Sequence, residues 1–152
     1  MLPLRYDITL VKVIDGDTII VNILNITNPI FFNILSTNPI TLLNQRIRLF
    51  GIDAPEIFGN EKIIGLRSKN YLTYIIHNTP LQLEIHHRIY EKYGRVIGII
   101  YCVGFDTPDI NVNQLMIEEG YAFPATYVGG KYIRTPRHYT VIPIKTSQFP
   151  FR

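Results

Sequence analysis

The 152 residues carry 47% hydrophobic and 18% charged side chains, a composition that excludes an intrinsically disordered chain and suits one domain with a sizeable core. The formal net charge of +3 is compatible with a polyanionic partner and equally with an ordinary solvated surface. A single cysteine, Cys102, excludes an intrachain disulfide and a zinc site built on cysteine pairs. No apolar stretch approaches the length of a membrane span, and the opening Met1-Leu2-Pro3-Leu4-Arg5 lacks the pattern of a signal peptide.

In chain order, residues 6–14 read as a strand rich in β-branched side chains, and residues 18–21 continue after a tight turn at Gly16, a glycine that can take positive φ. Residues 22–44 are apolar and uncharged. They hold Thr27-Asn28-Pro29-Ile30 and again Thr37-Asn38-Pro39-Ile40, which read as two turns around a short strand at 31–35, an inserted hairpin. Residues 45–50 alternate, with Arg46 and Arg48 on one face and Ile47 and Leu49 on the other. A helix is expected over 64–77, with Leu72, Ile75 and Ile76 at helical spacing and Pro80 beyond its end. Residues 81–89 alternate again, and 96–103 are apolar on both faces, as in a central strand; Cys102 within them reads as a small buried hydrophobe. Asn111 caps a second, shorter helix, with Gln114 at the capping-box position and Gly120 at its end. From 130 to 152 the spacing of Pro136, Pro143 and Pro150 predicts an extended strap in place of a terminal helix.

The chemistry lies between these elements. Asp15-Gly16-Asp17-Thr18 taken alone is an ordinary turn. In Asp53-Ala54-Pro55-Glu56, however, Pro55 keeps Ala54 out of helical geometry and leaves its carbonyl free to face a cation beside Asp53. Asp17, Asp53 and that carbonyl are hard oxygen donors suited to Ca²⁺ or Mg²⁺. Glu56 is close enough in sequence to hold a water near such an ion. Arg48 and Arg95 carry guanidinium groups that grip two phosphate oxygens at once. Carboxylates that could hold a metal, interleaved with arginines that could hold a phosphate, suggest phosphodiester hydrolysis.

The Asp-Gly-Asp-Thr turn, the segment from Arg48 to Asp53-Ala54-Pro55-Glu56, Tyr93-Gly94-Arg95 and the helix end Glu118-Glu119-Gly120-Tyr121-Ala122 follow one another in an order that resembles the staphylococcal nuclease (thermonuclease) family. The resemblance covers about residues 6–122, the insertion excepted. It implies an α+β fold, an OB-fold five-stranded β-barrel with two or more packed helices, in a single domain over 1–152. It also implies a monomeric calcium-dependent endonuclease acting on DNA or RNA. In its terms Asp17, Asp53 and the Ala54 carbonyl hold the metal, with Mg²⁺ or another divalent ion as alternatives. Glu56 acts as general base, and Arg48 and Arg95 bind the scissile phosphate. Asp15 stands behind the ligands, and Lys92 and Tyr93 contact a phosphate of the bound nucleotide. The chain departs from the pattern in the insertion, in the tail, and after Gly120, where base-stacking tyrosines are replaced by Thr126 and Val128 with Tyr127 between them. Tyr127 is the remaining residue for base stacking.

Two further expectations follow. Two carboxylates and a carbonyl leave most of a calcium shell to water and phosphate, so calcium affinity in the range of about 10⁻⁴ to 10⁻³ M is expected. Such a site fits a place of action outside the cytosol, whereas the lack of a signal peptide points to the cytoplasm. The contrasting reading, an OB-fold nucleic-acid binding module without catalysis, is disfavoured because every member of the catalytic set is present. The adjacent His86 and His87 point to opposite faces of a strand and cannot share a metal; His77 and His138 have no partner in sequence.

Overall fold

The computed structural model describes residues 4–27, 38–90, 94–128 and 131–134. Strands β1 (Arg5–Asp15), β2 (Thr18–Ile26) and β3 (Ile40–Leu49) form a meander, followed by the two-residue strand β4 (Ile52–Asp53). A 3₁₀ turn at Gly59–Glu61 leads into helix α1 (Lys62–Ile76), and strands β5 (Leu81–Tyr90) and β6 (Val96–Cys102) return to the sheet. The short strand β7 (Ile110–Asn111) precedes helix α2 (Val112–Glu118), and β8 (Phe123–Val128) and β9 (Lys131–Arg134) come last.

The sheet closes on itself. β1 pairs antiparallel with β2 and β5, β2 with β3, and β5 with β6. The circle is completed by parallel pairing of β3 with β6, Ile47 opposite Val96 and Arg48 opposite Ile97. A five-stranded barrel with a helix between its third and fourth strands is the OB-fold, and two packed helices make the fold α+β. Its interior is aliphatic: Ile19, Val21, Ile23, Ile47, Leu49, Leu83 and Ile100 are all fully buried. Gly98 lies where strands crowd, since a Cβ there would meet the Leu83 side chain at 2.5 Å and the Glu84 carbonyl at 2.7 Å.

Several boundaries differ from expectation. β2 and β3 extend well into the segment read as an insertion, Ile26 pairing with Ile40, so the hairpin grows out of the barrel's own strands. Isoleucines at 23, 26 and 40 supply the β propensity for this extension. The strand expected at 31–35 lies outside the described residues. The chain beyond Gly130 begins as β9, paired antiparallel with β8; the rest of the expected extended tail, residues 135–152, lies outside the described part.

Helix α1 buries Gly65, Ser68, Tyr71, Leu72 and Ile76. Part of its inner face is therefore made of small residues that apolar periodicity does not register. At α2, the Asn111 side chain accepts the Gln114 amide at 3.0 Å, as a cap should. Gln114 does not complete a capping box: its side chain donates forward to Glu118 at 3.2 Å. Gly120 has φ of +80°, the left-handed residue after the helix. Cys102 is buried, and burial pushes its thiol up to about 11. No helix among the described residues is long and apolar enough to cross a membrane.

Candidate functional site

The first piece of the site is the β1–β2 turn. Asp15 pairs with Thr18 across it, leaving Gly16 and Asp17 at the tip. The Asp15 carboxylate accepts the Asp17 amide at 3.1 Å and holds the turn from behind. Gly16 does not use the positive φ open to a glycine. It is glycine for lack of space: a Cβ would lie 1.9 Å from the Ser68 hydroxyl oxygen and 2.7 Å from the Ala54 Cβ. The turn is pressed directly against α1 and against the segment that carries Asp53.

The second piece is the end of β3. Thr18 pairs with Arg48, and the Leu49 amide donates to the Asp17 carbonyl at 2.8 Å. Arg48 is 5% exposed although it carries a full charge. Its guanidinium bridges both aspartates, Nη1 lying 3.3 Å from Asp17 Oδ2 and Nη2 3.7 Å from Asp53 Oδ1. Asp17 Oδ2 also accepts the Ala54 amide at 2.7 Å. Gly51, at φ +80°, turns the chain from β3 into β4. β4 in turn is fixed by β8, Asp53 opposite Phe123.

Asp17, Arg48, Asp53 and Ala54 thus share one small, buried volume where β1–β2, β3 and β4 meet. Burial raises the Asp17 carboxyl from its ordinary value of 3.8 to about 6, with the Arg48 charge and the Ala54 hydrogen bond opposing the rise and Asp15 adding to it. Among the described residues, no group of three or more His, Cys, Asp and Glu side chains could hold a metal by itself. The hard oxygen donors that the pocket brings together are the carboxylates of Asp17 and Asp53.

The remaining predicted residues are placed as follows. Glu56 lies just past the Asp53 segment, half-buried, with its amide donating to the Glu61 carboxylate at 2.7 Å. Arg95 is half-buried and immediately precedes β6, whose first residues pair with Ile47 and Arg48, so it stands at the same end of the barrel as Arg48. Gly94 before it has φ of +76°. Lys92 and Tyr93 lie outside the described residues. Tyr127 is on β8, four residues past Phe123 and so roughly 13 Å along the strand from the partner of Asp53. His86 stacks on Phe50, ring centroids 3.7 Å apart, and His77 is exposed.

Residues that sequence reasoning missed hold the site in place. Asn113 is buried in α2. Its amide donates to the Phe50 carbonyl at 2.8 Å and to the Gly98 carbonyl at 3.1 Å, and its oxygen accepts the Ile100 amide at 3.1 Å. It ties α2 to the central strand and to the turn between Arg48 and Asp53. An asparagine between buried Val112 and Met116 was the available signal. Ser68 donates to the Tyr121 carbonyl at 2.7 Å. Glu61 is 7% exposed, and a lone glutamate before a helix gives no hint of burial.

The protein is thus an OB-fold barrel that gathers two aspartates and an arginine at its strand ends. Residues 46–140 match the family described as staphylococcal nuclease homologue, and the chain belongs to that family. It is 29% identical over 126 residues to a protein named micrococcal nuclease from Shigella flexneri, an alignment covering 78% of this chain and 58% of that one. It is also 33% identical over 81 residues to a probable staphylococcal-like nuclease from Oryza sativa subsp. japonica, covering 53% of this chain and 22% of that one. The chain therefore spans little more than half the length of the first relative and less than a quarter of the second.

Proposed function

We propose that this protein is a divalent-metal-dependent nuclease that hydrolyses phosphodiester bonds of DNA or RNA, with calcium the preferred ion and Asp17, Asp53 and the Ala54 carbonyl holding it. The single observation that carries this reading is the convergence of Asp17 and Asp53 on one buried guanidinium, with the Ala54 backbone hydrogen-bonded to Asp17. Family membership and the nuclease names of both relatives support it.

When bound, the ion supplies Lewis-acid neutralisation of the phosphoryl oxygens. The chain's residues do the rest. Arg48 is held in a low-dielectric pocket by two carboxylates and needs little reorganisation to present positive charge to a phosphate. Arg95, at the same end of the barrel, offers a second bidentate grip. Glu56 accepts a proton from water as it attacks phosphorus in line with the leaving oxygen, a role worth about 10² to 10⁴ in rate. Asp15 keeps the Asp17 turn closed. Lys92, Tyr93 and Tyr127 are assigned to contacts with the bound nucleotide, the first two to phosphate and Tyr127 to a base.

Supercoiled plasmid and denatured DNA are incubated with the protein in calcium, in magnesium and in chelator. Chelator-sensitive cleavage is expected, abolished to background in Asp53→Ala. Binding of denatured DNA with no cleavage in any divalent ion would overturn the proposal and identify a non-catalytic binding module. Titration calorimetry with calcium alone should give an affinity weaker than about 10⁻⁴ M.

A further inference from the structure

Glu61 carries an inference that rests on the nuclease reading above. It occupies the N-cap position of α1 with φ −92° and ψ −2°, yet makes no side-chain capping bond to that helix. A glutamate there ordinarily stays in solvent, where it interacts with the helix dipole. This one is 7% exposed and turns back to accept the Glu56 amide at 2.7 Å. A charge-assisted hydrogen bond from a buried carboxylate to a main-chain amide is among the stronger polar contacts a protein makes.

The other side of the same residue is held as well. A Cβ on Gly65 would fall 1.9 Å from the Glu56 carbonyl oxygen and 2.4 Å from its carbonyl carbon, so the backbone of α1 rests on that peptide. The Glu56 main chain is held at its N–H by the Glu61 carboxylate, and its C=O is packed against Gly65. With both peptide groups fixed, the direction of the Cα–Cβ bond is fixed too, while the side chain itself stays half-exposed.

We infer that Glu61 is a positioning residue for catalysis: by holding the Glu56 amide it sets the direction in which the Glu56 carboxylate reaches the attacking water. The direction it sets depends on the reach of the acceptor oxygen more than on the strength that its charge adds. Glu61→Gln keeps the reach and loses the charge, whereas Glu61→Asp keeps the charge and draws the oxygen back by one methylene. Displacements near 1 Å in a catalytic group can cost about 10²-fold.

Steady-state kinetics on denatured DNA in calcium test the inference, with thermal melts confirming that each variant is folded. Glu61→Asp should lower kcat about 10- to 100-fold with KM within about twofold of wild type, and Glu61→Gln should stay within about threefold in kcat. In a Glu56→Gln background, Glu61→Asp should add no further loss, because the group it positions is gone. Wild-type kcat in Glu61→Asp, a larger loss in Glu61→Gln than in Glu61→Asp, or an equal loss with and without the Glu56 carboxylate would each overturn the positioning role. Absence of cleavage by wild-type protein is a separate failure, that of the nuclease reading, and removes the inference with it.

Discussion

In chelator, raising the pH from about 4 to about 7 should weaken the fold through Asp17. The folded carboxyl titrates at about 6 against an ordinary 3.8, because burial disfavours its charged form. Between those values the folded state holds a proton that the unfolded chain has released, so stability falls as pH rises and is fully present only below the lower value. A difference of about 2 units corresponds to roughly 3 kcal/mol, a large fraction of a small domain's stability. Asp17→Asn isolates the effect: its oxygen can still accept the Ala54 amide, but it cannot ionise. Urea unfolding at half-unit steps from pH 4 to 7 gives the wild-type minus Asn difference, in which all other titrations largely cancel. That difference should move against wild type by about 2 kcal/mol across the range, part of the full effect being already spent at pH 4. A flat difference would refute the claim that burial raises the Asp17 carboxyl. Saturating calcium should restore stability to wild type alone, since ligand binding to the folded state adds to its free energy of unfolding.

Arg48→Lys should lower cleavage about 10²- to 10³-fold, because one ammonium cannot span the two carboxylates that separate guanidinium nitrogens now reach; a rate within threefold of wild type would contradict the bridging role. Gly16→Ala should destabilise by about 1 to 3 kcal/mol through overlap with Ser68 and Ala54, and adding Ser68→Gly should recover part of the loss in chemical denaturation. Asn113→Ala should cost about 2 to 4 kcal/mol, since it strips partners from the buried Ile100 amide and from the Phe50 carbonyl; a loss below half a kcal/mol would show that those groups find other partners.

The parts of the molecule legible in advance are those governed by short-range chemistry. Alternation at 81–89, the doubly apolar run at 96–103, the Asn111 cap and the Gly120 terminator each depend on neighbours a few residues away. Of the residues singled out in advance, Asp17, Arg48 and Asp53 meet in one pocket, and they sit in turns and strand ends whose residue types carry their own geometry. The reading failed where a local rule met a distant neighbour. Gly16 suggested backbone freedom, whereas the packed fold needs its missing Cβ because Ser68, some fifty residues on, lies against it. Gln114 suited a capping box but found Glu118 instead. The Asn22–Asn44 stretch lacked charge and seemed an appendage, yet its ends continue the barrel through pairs such as Ile26 with Ile40.

By itself the sequence determined which donor and charged groups are on offer and the kind of elements that carry them. Hard carboxylate oxygens, guanidinium groups, turn residues and hydrophobic periods are properties of side chains and their immediate neighbours. Only tertiary structure decided how they meet. Parallel pairing of β3 with β6 closes the barrel and brings Arg48 and Arg95 to one end. Burial turns Arg48 into a bridge between two aspartates and places Asn113 and Glu61 behind the groups they hold. Burial, dielectric and the reach of a hydrogen bond depend on what lies across the fold, and a residue's chain neighbours do not carry that information.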